Sequence, residues 1–125
     1  MRIAIADDNK DHAYSLATLI REWGHDAHVF LDAHATLTFC ERHSPDVLLL
    51  DVGFPLRTDG LAAAKKARML LQPDPVTIIA ITGFDDEATR TQAKDAGFDH
   101  FLVKPIDLDK LRSLLTEAQS TPQTA

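Results

Sequence analysis

The sequence predicts a doubly wound α/β domain, a parallel sheet of five strands covered by helices on both faces. Short apolar runs alternate five times with longer stretches of helical periodicity, the rhythm of right-handed β-α crossovers. The run Val47-Leu48-Leu49-Leu50 is apolar at every position, as a strand buried on both faces must be. Asp51 closes that run. Ligands of open parallel sheets bind outside the carboxyl ends of the strands, so this carboxylate is presented to chemistry rather than hidden in the core.

Taken in order, Ile3 to Ala6 is the first strand, ended by Asp7-Asp8, with Asn9 or Asp11 available to cap the next helix. Leu16, Leu19, Ile20 and Trp23 recur at helical spacing, and Gly24 supplies the stop. Ala27 to Leu31 is a weaker second strand. Asp32 then caps a helix carrying Ala33, Leu37, Phe39 and Cys40 that ends before Pro45. After the third strand, the loop from Val52 to Gly60 leads into an alanine-rich helix from about Leu61 to Leu71, broken by Gln72-Pro73-Asp74-Pro75. Val76 to Ile81 is the fourth strand and hands over Thr82 and Gly83. Asp85 or Asp86 caps a helix reaching Gly97, whose apolar face is mostly alanine, so it is expected to be the most loosely held. Phe101-Leu102-Val103 is the fifth strand, closed by Lys104-Pro105. Asp107 caps the last helix, with Leu108, Leu111, Leu114, Leu115 and Ala118 on one stripe. From Ser120 the chain reads as a polar tail.

A chain of 125 residues makes one ordinary domain, here 1–119 with a tail over 120–125, and leaves nothing for a second folded unit. Its 45% hydrophobic and 26% charged residues are the balance of a soluble globular protein. The net charge of -6 leaves no basic excess for a phosphate backbone, which argues against nucleic acid as a partner. Asp7 and Asp8 cut the apolar N-terminus too short for a signal core or a membrane span, so a cytoplasmic location is the default expectation. The single Cys40 can form no internal disulfide and reads as a small buried hydrophobe.

Setting the strand ends side by side brings Asp7, Asp8, Asp51, Thr82 and Lys104 to one edge of the sheet. Three crowded carboxylates repel one another and call for a divalent cation; Mg²⁺ takes one or two carboxylates, waters and a phosphate oxygen. A carboxylate can also act as a nucleophile and form an aspartyl phosphate. Lys104 and Thr82 supply a positive charge and a hydroxyl for the oxygens of a transferred phosphoryl group.

With Asp7-Asp8, Leu49-Leu50-Asp51, Pro55, Asp59-Gly60, Thr82-Gly83 and Phe101-Leu102-Val103-Lys104-Pro105 in this order, nearly the whole chain resembles the receiver domains of bacterial two-component response regulators. The resemblance implies a flavodoxin-like (βα)5 fold with strand order 2-1-3-4-5. It implies that Asp51 accepts a phosphoryl group from a histidine kinase or a histidine phosphotransfer protein. Asp8 would be the main metal carboxylate, with Asp7, Asp51 and the backbone carbonyl of Gly53 completing the protein ligands of Mg²⁺. Thr82 would move onto the phosphoryl oxygen, Lys104 would pair with it, and Phe101 would change rotamer. The Lys104-Pro105 peptide would be cis, a form that costs little before proline and aims the lysine inward. Helix one would face the kinase's helical bundle, and helix four, strand five and helix five would carry the switched surface. The resemblance allows weak self-association, and the stretch from Gly97 to Pro105 is similar to receivers fused to hybrid sensor kinases.

Two departures bear on these expectations. Leu56-Arg57-Thr58 is one residue longer than the usual spacing, so the loop after Asp51 is expected to bulge. Phe84, beside Gly83, puts a bulky apolar group where the family tunes water access. Slow hydrolysis of the phosphoryl group follows, and Phe84→Asn is expected to shorten its lifetime in a decay assay.

Simpler readings stand beside these. Asp7 and Asp8 alone could be helix caps, Thr82 alone a β-branched strand residue, and Phe101 a packed aromatic. The six histidines, His12 among them, show no metal-ligand spacing and read as surface residues. Lys65, Lys66 and Arg68 read as the solvated face of helix three. A phosphatase of the haloacid dehalogenase type wants a second acid where Gly53 stands, and a flavodoxin's phosphate loop would not carry Asp7-Asp8. The remaining rival is a receiver-like interaction module that works without phosphorylation.

Overall fold

The structure, a computed structural model, describes residues 1–52, 57–71, 76–83 and 87–120. The elements are β1 (Arg2–Ala6), α1 (Lys10–Glu22), β2 (Asp26–Phe30), α2 (Ala33–His43), β3 (Val47–Asp51), α3 (Arg57–Leu70), β4 (Thr77–Thr82), α4 (Glu87–Asp95), β5 (His100–Val103) and α5 (Leu108–Ser120). The strands form one sheet in the order β2-β1-β3-β4-β5, and every neighbouring pair is parallel. No helix among the described residues is long and apolar enough to cross a membrane.

The sheet is buried on both faces because alternate residues of each strand feed different cores. On β3, Val47 and Leu49 join Ile3, Ile5, Ile79 and Ile81 against Leu16 and Ile20 of α1 and Leu111 and Leu115 of α5. Leu48 and Leu50 point the other way, with Ala4, Ile78 and Ala80, onto Cys40 of α2, Ala64 and Ala67 of α3, and Ala93 of α4. Burial raises the Cys40 thiol to a pKa of about 11, so it packs as the inert hydrophobe expected.

Caps set the helix starts. The Asn9 carboxamide oxygen accepts from the His12 backbone N–H at 3.1 Å, and Asp32 Oδ1 from that of Ala35 at 2.7 Å. Asp107 Oδ1 accepts from Asp109 and Lys110. Gly24 and Gly97 hold φ of 95° and 101°, a left-handed conformation that turns the chain out of α1 and α4.

Several details differ from expectation. Helix α3 begins at Arg57, a turn before Leu61, because docking of the buried Ala63, Ala64 and Ala67 outweighs the turn signal of Asp59-Gly60. Arg57 and Thr58 of the lengthened loop thus belong to the helix, while 53–56, where the bulge was expected, lie outside the described residues. The last helix continues through Ser120, where the tail was expected to start. Leu108, placed by periodicity on the core stripe, is the first residue of α5 and is 46% exposed. In α4 the buried residues are Thr89 and Ala93, the light anchoring expected of an alanine-faced helix.

Arg68 is not part of a solvated face, although Lys65 and Lys66 are exposed. Its guanidinium donates to the carbonyls of Val76 and Gly97 and to Asp99 Oδ2, at 2.9, 2.6 and 2.8 Å. Asp99 Oδ2 also accepts from the Ile78 backbone N–H at 2.8 Å. Arg68 therefore ties α3 to the start of β4 and to the α4–β5 turn. Arg68→Ala leaves two carbonyls and a carboxylate without this donor. It is expected to lower stability by about 2 kcal/mol, read as a lower urea midpoint at unchanged slope.

Candidate functional site

Parallel pairing puts the strand ends at a common edge, and each site residue is placed by one of them. Asp7 follows the last residue of β1, where its backbone N–H donates to the Phe30 carbonyl at 3.1 Å. Asp51 is the last residue of β3, opposite Ile81, and Thr82 ends β4 opposite Val103. Asp7, Asp51 and Thr82 are all buried, at 3, 7 and 2% exposure, whereas Asp8 is open to solvent.

One carboxylate oxygen each from Asp7, Asp8 and Asp51 lies within 4.8 Å of the other two. Lys104 crosses from the end of β5, its Nζ donating to Asp51 Oδ2 at 2.8 Å and its backbone N–H to the Thr82 carbonyl at 2.7 Å. Burial works against the ammonium, but the hydrogen bond and charge of Asp51, with Asp7 and Asp8 behind it, prevail and hold the Lys104 pKa above its ordinary value. The Lys104-Pro105 peptide is cis.

Three acidic oxygen donors, two of them buried, suit a hard divalent cation and not an anion, and an all-oxygen set fits Mg²⁺. The fourth expected ligand, the carbonyl of Gly53, lies outside the described residues, as does Phe84. Gly83 is exposed beside Thr82. Phe101 is half-buried on β5, with the Arg90 guanidinium 4.8 Å from its ring centre.

The histidines are less uniformly superficial than their spacing suggests. His28 and His43 flank the Phe39 ring, at 4.8 and 5.1 Å between centres. More consequential is His12, whose Nδ1 lies 2.6 Å from Asp7 Oδ2. Among the described residues the acidic triad holds no histidine ligand, so His12 touches the site through a carboxylate.

The family model described as the response regulator receiver domain matches residues 3–116. The chain belongs to that family. Over 116 residues it is 31% identical to the transcriptional regulatory protein ZraR of Salmonella typhimurium, covering 93% of this chain and 26% of that protein. It is 33% identical to the response regulator MprA of Mycobacterium leprae, covering 89% of this chain and 47% of that one. The receiver domain thus spans from about a quarter to about half the length of these curated relatives. The crystal structure of the receiver domain of NtrX from Brucella abortus superposes with a TM-score of 0.83 at 26% identity, covering 96% of this chain and 99% of that one. The two-component receiver assignment and the 2-1-3-4-5 sheet expected from the resemblance are therefore both met.

Beside the acidic site the receiver domain has a groove of about 400 Å³ between α1 and the β5–α5 connection. Leu16, Leu19, Ile106 and the exposed Leu108 line it with His12 and Lys104. Periodicity assigned Leu16 and Leu19 to the core, and their contribution to this surface was legible only through the family resemblance.

Proposed function

We propose that this receiver domain is a phosphoacceptor switch in which Asp51 takes a phosphoryl group from a phosphohistidine. The observation that carries the reading is the convergence on Asp51 of the Lys104 ammonium and the carboxylates of Asp7 and Asp8. A carboxylate nucleophile needs charge neutralisation to approach a phosphoryl dianion, and this edge of the sheet supplies the means.

An Asp51 oxygen attacks phosphorus in line with the P–N bond; the P–O bond forms as the P–N bond breaks, and the imidazole, already protonated at its other nitrogen in the phosphohistidine donor, leaves as the neutral ring. Lys104 balances charge on one phosphoryl oxygen, and the Thr82 hydroxyl donates to another. Asp7, Asp8 and Asp51, with the Gly53 carbonyl, would hold Mg²⁺, which when bound neutralises phosphoryl charge. Movement of Thr82 frees space that Phe101 takes up on changing rotamer, reshaping the surface of α4, β5 and α5 and shifting a two-state equilibrium.

The donor is a histidine kinase or phosphotransfer protein. The apolar groove next to Lys104 fits a helix presenting the phosphohistidine, so that the donor docks where the chemistry occurs. Such a domain assists its own phosphorylation and dephosphorylation without being a conventional enzyme. Its place is the cytoplasm, and its output passes to a downstream protein partner. The test is transfer from phosphoramidate with Mg²⁺, followed by ³¹P NMR. A hydroxylamine-labile acyl phosphate is expected; a folded protein that forms none with or without a histidine donor would return the phosphate-independent module to first place.

A further inference from the structure

Asp7 is fixed more completely than its position at a strand end requires. Its side chain is 5% exposed, and a separate donor reaches each oxygen. The Asn9 backbone N–H donates to Oδ1 at 2.9 Å, and the His12 ring, through Nδ1–H, to Oδ2 at 2.6 Å. An ionised carboxylate only accepts, so the proton of that short bond belongs to Nδ1, which the neutral imidazole can supply. Each oxygen has two acceptor directions, so both bonds leave Asp7 capacity for a cation.

We propose that His12 is a positioning residue that holds Asp7 in its metal-binding orientation. The inference rests on the Mg²⁺ reading of the acidic site. Rotation of a carboxylate about its last torsion is soft, and Asp8 and Asp51 present like charge within 4.8 Å. Without a restraint, repulsion turns Asp7 away from the others when the site holds no cation. Asp51 has Lys104 for that purpose; for Asp7 the restraint is the pair formed by Asn9 and His12.

The start of α1 is built to provide it. Asn9 is the N-cap and His12 the third helical residue, and the Asn9 side chain accepts from the His12 backbone N–H. In a capping box the side chain at that third position reaches back to the N-cap N–H. Here the N-cap N–H and the third side chain both donate to Asp7 instead. The cap thus orients the metal carboxylate from the helix. His12 also lines the groove beside α1, so the groove contributes His12 to Asp7 and Lys104 to Asp51.

The test is calorimetric titration of Mg²⁺ into the full chain carrying wild-type His12, His12→Leu or His12→Asn, with thermal melts in EDTA to compare folding. Asparagine branches a donor nitrogen from the same carbon as Nδ1; leucine has none. His12→Leu is expected to bind Mg²⁺ about tenfold more weakly, the scale of a lost outer partner, and His12→Asn to stay within about threefold of wild type. Leucine binding as tightly as wild type or tighter, or asparagine as weak as leucine, overturns the inference. A wild-type chain that binds no Mg²⁺ overturns the metal reading itself. The wild-type ring gives an independent reading by ¹⁵N NMR: a protonated Nδ1 that responds to Mg²⁺ supports the assignment, and an unprotonated Nδ1 in the neutral ring contradicts it.

Discussion

Lys104→Ala is expected to slow phosphoryl transfer to Asp51 by about 10²-fold or more while leaving Mg²⁺ binding intact. The ammonium stands 2.8 Å from Asp51, in a partly buried setting where a fixed charge acts more strongly than in water. Removing one preorganised donor from a site where charge develops in the transition state costs about 10²–10³ in rate. The cation site loses no ligand and gains attraction, because a positive charge beside Asp51 is gone. The time course of phosphorylation by acetyl phosphate, run beside a Mg²⁺ titration, separates the two effects. A transfer rate within about threefold of wild type would contradict the role assigned to Lys104. Its pH behaviour follows from the raised pKa. The bond to Asp51 stabilises the folded form fully below the unfolded lysine pKa and is lost only as pH rises through the higher folded value. Titration of Lys104 therefore adds no pH dependence to the reaction near neutrality.

Asp8→Asn is expected to act in opposite directions on stability and on function. Asp8 is exposed and adds a third negative charge to the buried pair Asp7 and Asp51. Without a cation, removing that charge relieves repulsion, so the variant should melt higher in EDTA, by a margin that solvent screening keeps small. With Mg²⁺, the same change removes a ligand charge. A charge pair at about 4 Å and an effective dielectric of about 20 is worth about 4 kcal/mol, so affinity should fall by about three orders of magnitude. Melting curves with and without Mg²⁺ read both effects: wild type gains from the cation and Asp8→Asn does not. Equal Mg²⁺-induced stabilisation of both proteins would remove Asp8 from the metal site.

The order of strands and helices was legible because a sheet buried on both faces writes continuous apolar runs, and β3 is the clearest of them. The lateral order 2-1-3-4-5 came from the family resemblance, since periodicity carries no information on which strands are neighbours. Asp7, Asp8, Asp51, Thr82 and Lys104 could be grouped without coordinates because parallel strands end at a common edge. Other features depend on side-chain direction in the folded chain. Arg68 looks like any surface cation until its partners at Val76, Gly97 and Asp99 fold beneath it. His12 reaches Asp7 across the strand-to-helix connection only after Asn9 caps α1, and an isolated histidine five residues from an aspartate carries no spacing signal. The early start of α3 was missed for another reason: Asp59 and Gly60 are turn residues in isolation and helical ones once the alanine face docks.

Site-mapped mass spectrometry decides whether Asp51 is the phosphoacceptor. Wild type and Asp51→Asn are incubated with acetyl phosphate in Mg²⁺ or in EDTA, weighed intact, and digested to locate the adduct. One phosphoryl group is expected on wild type in Mg²⁺, mapped to Asp51, and none in EDTA or on Asp51→Asn. An adduct of equal yield on Asp51→Asn, or one mapped to another residue of the wild type, would contradict it.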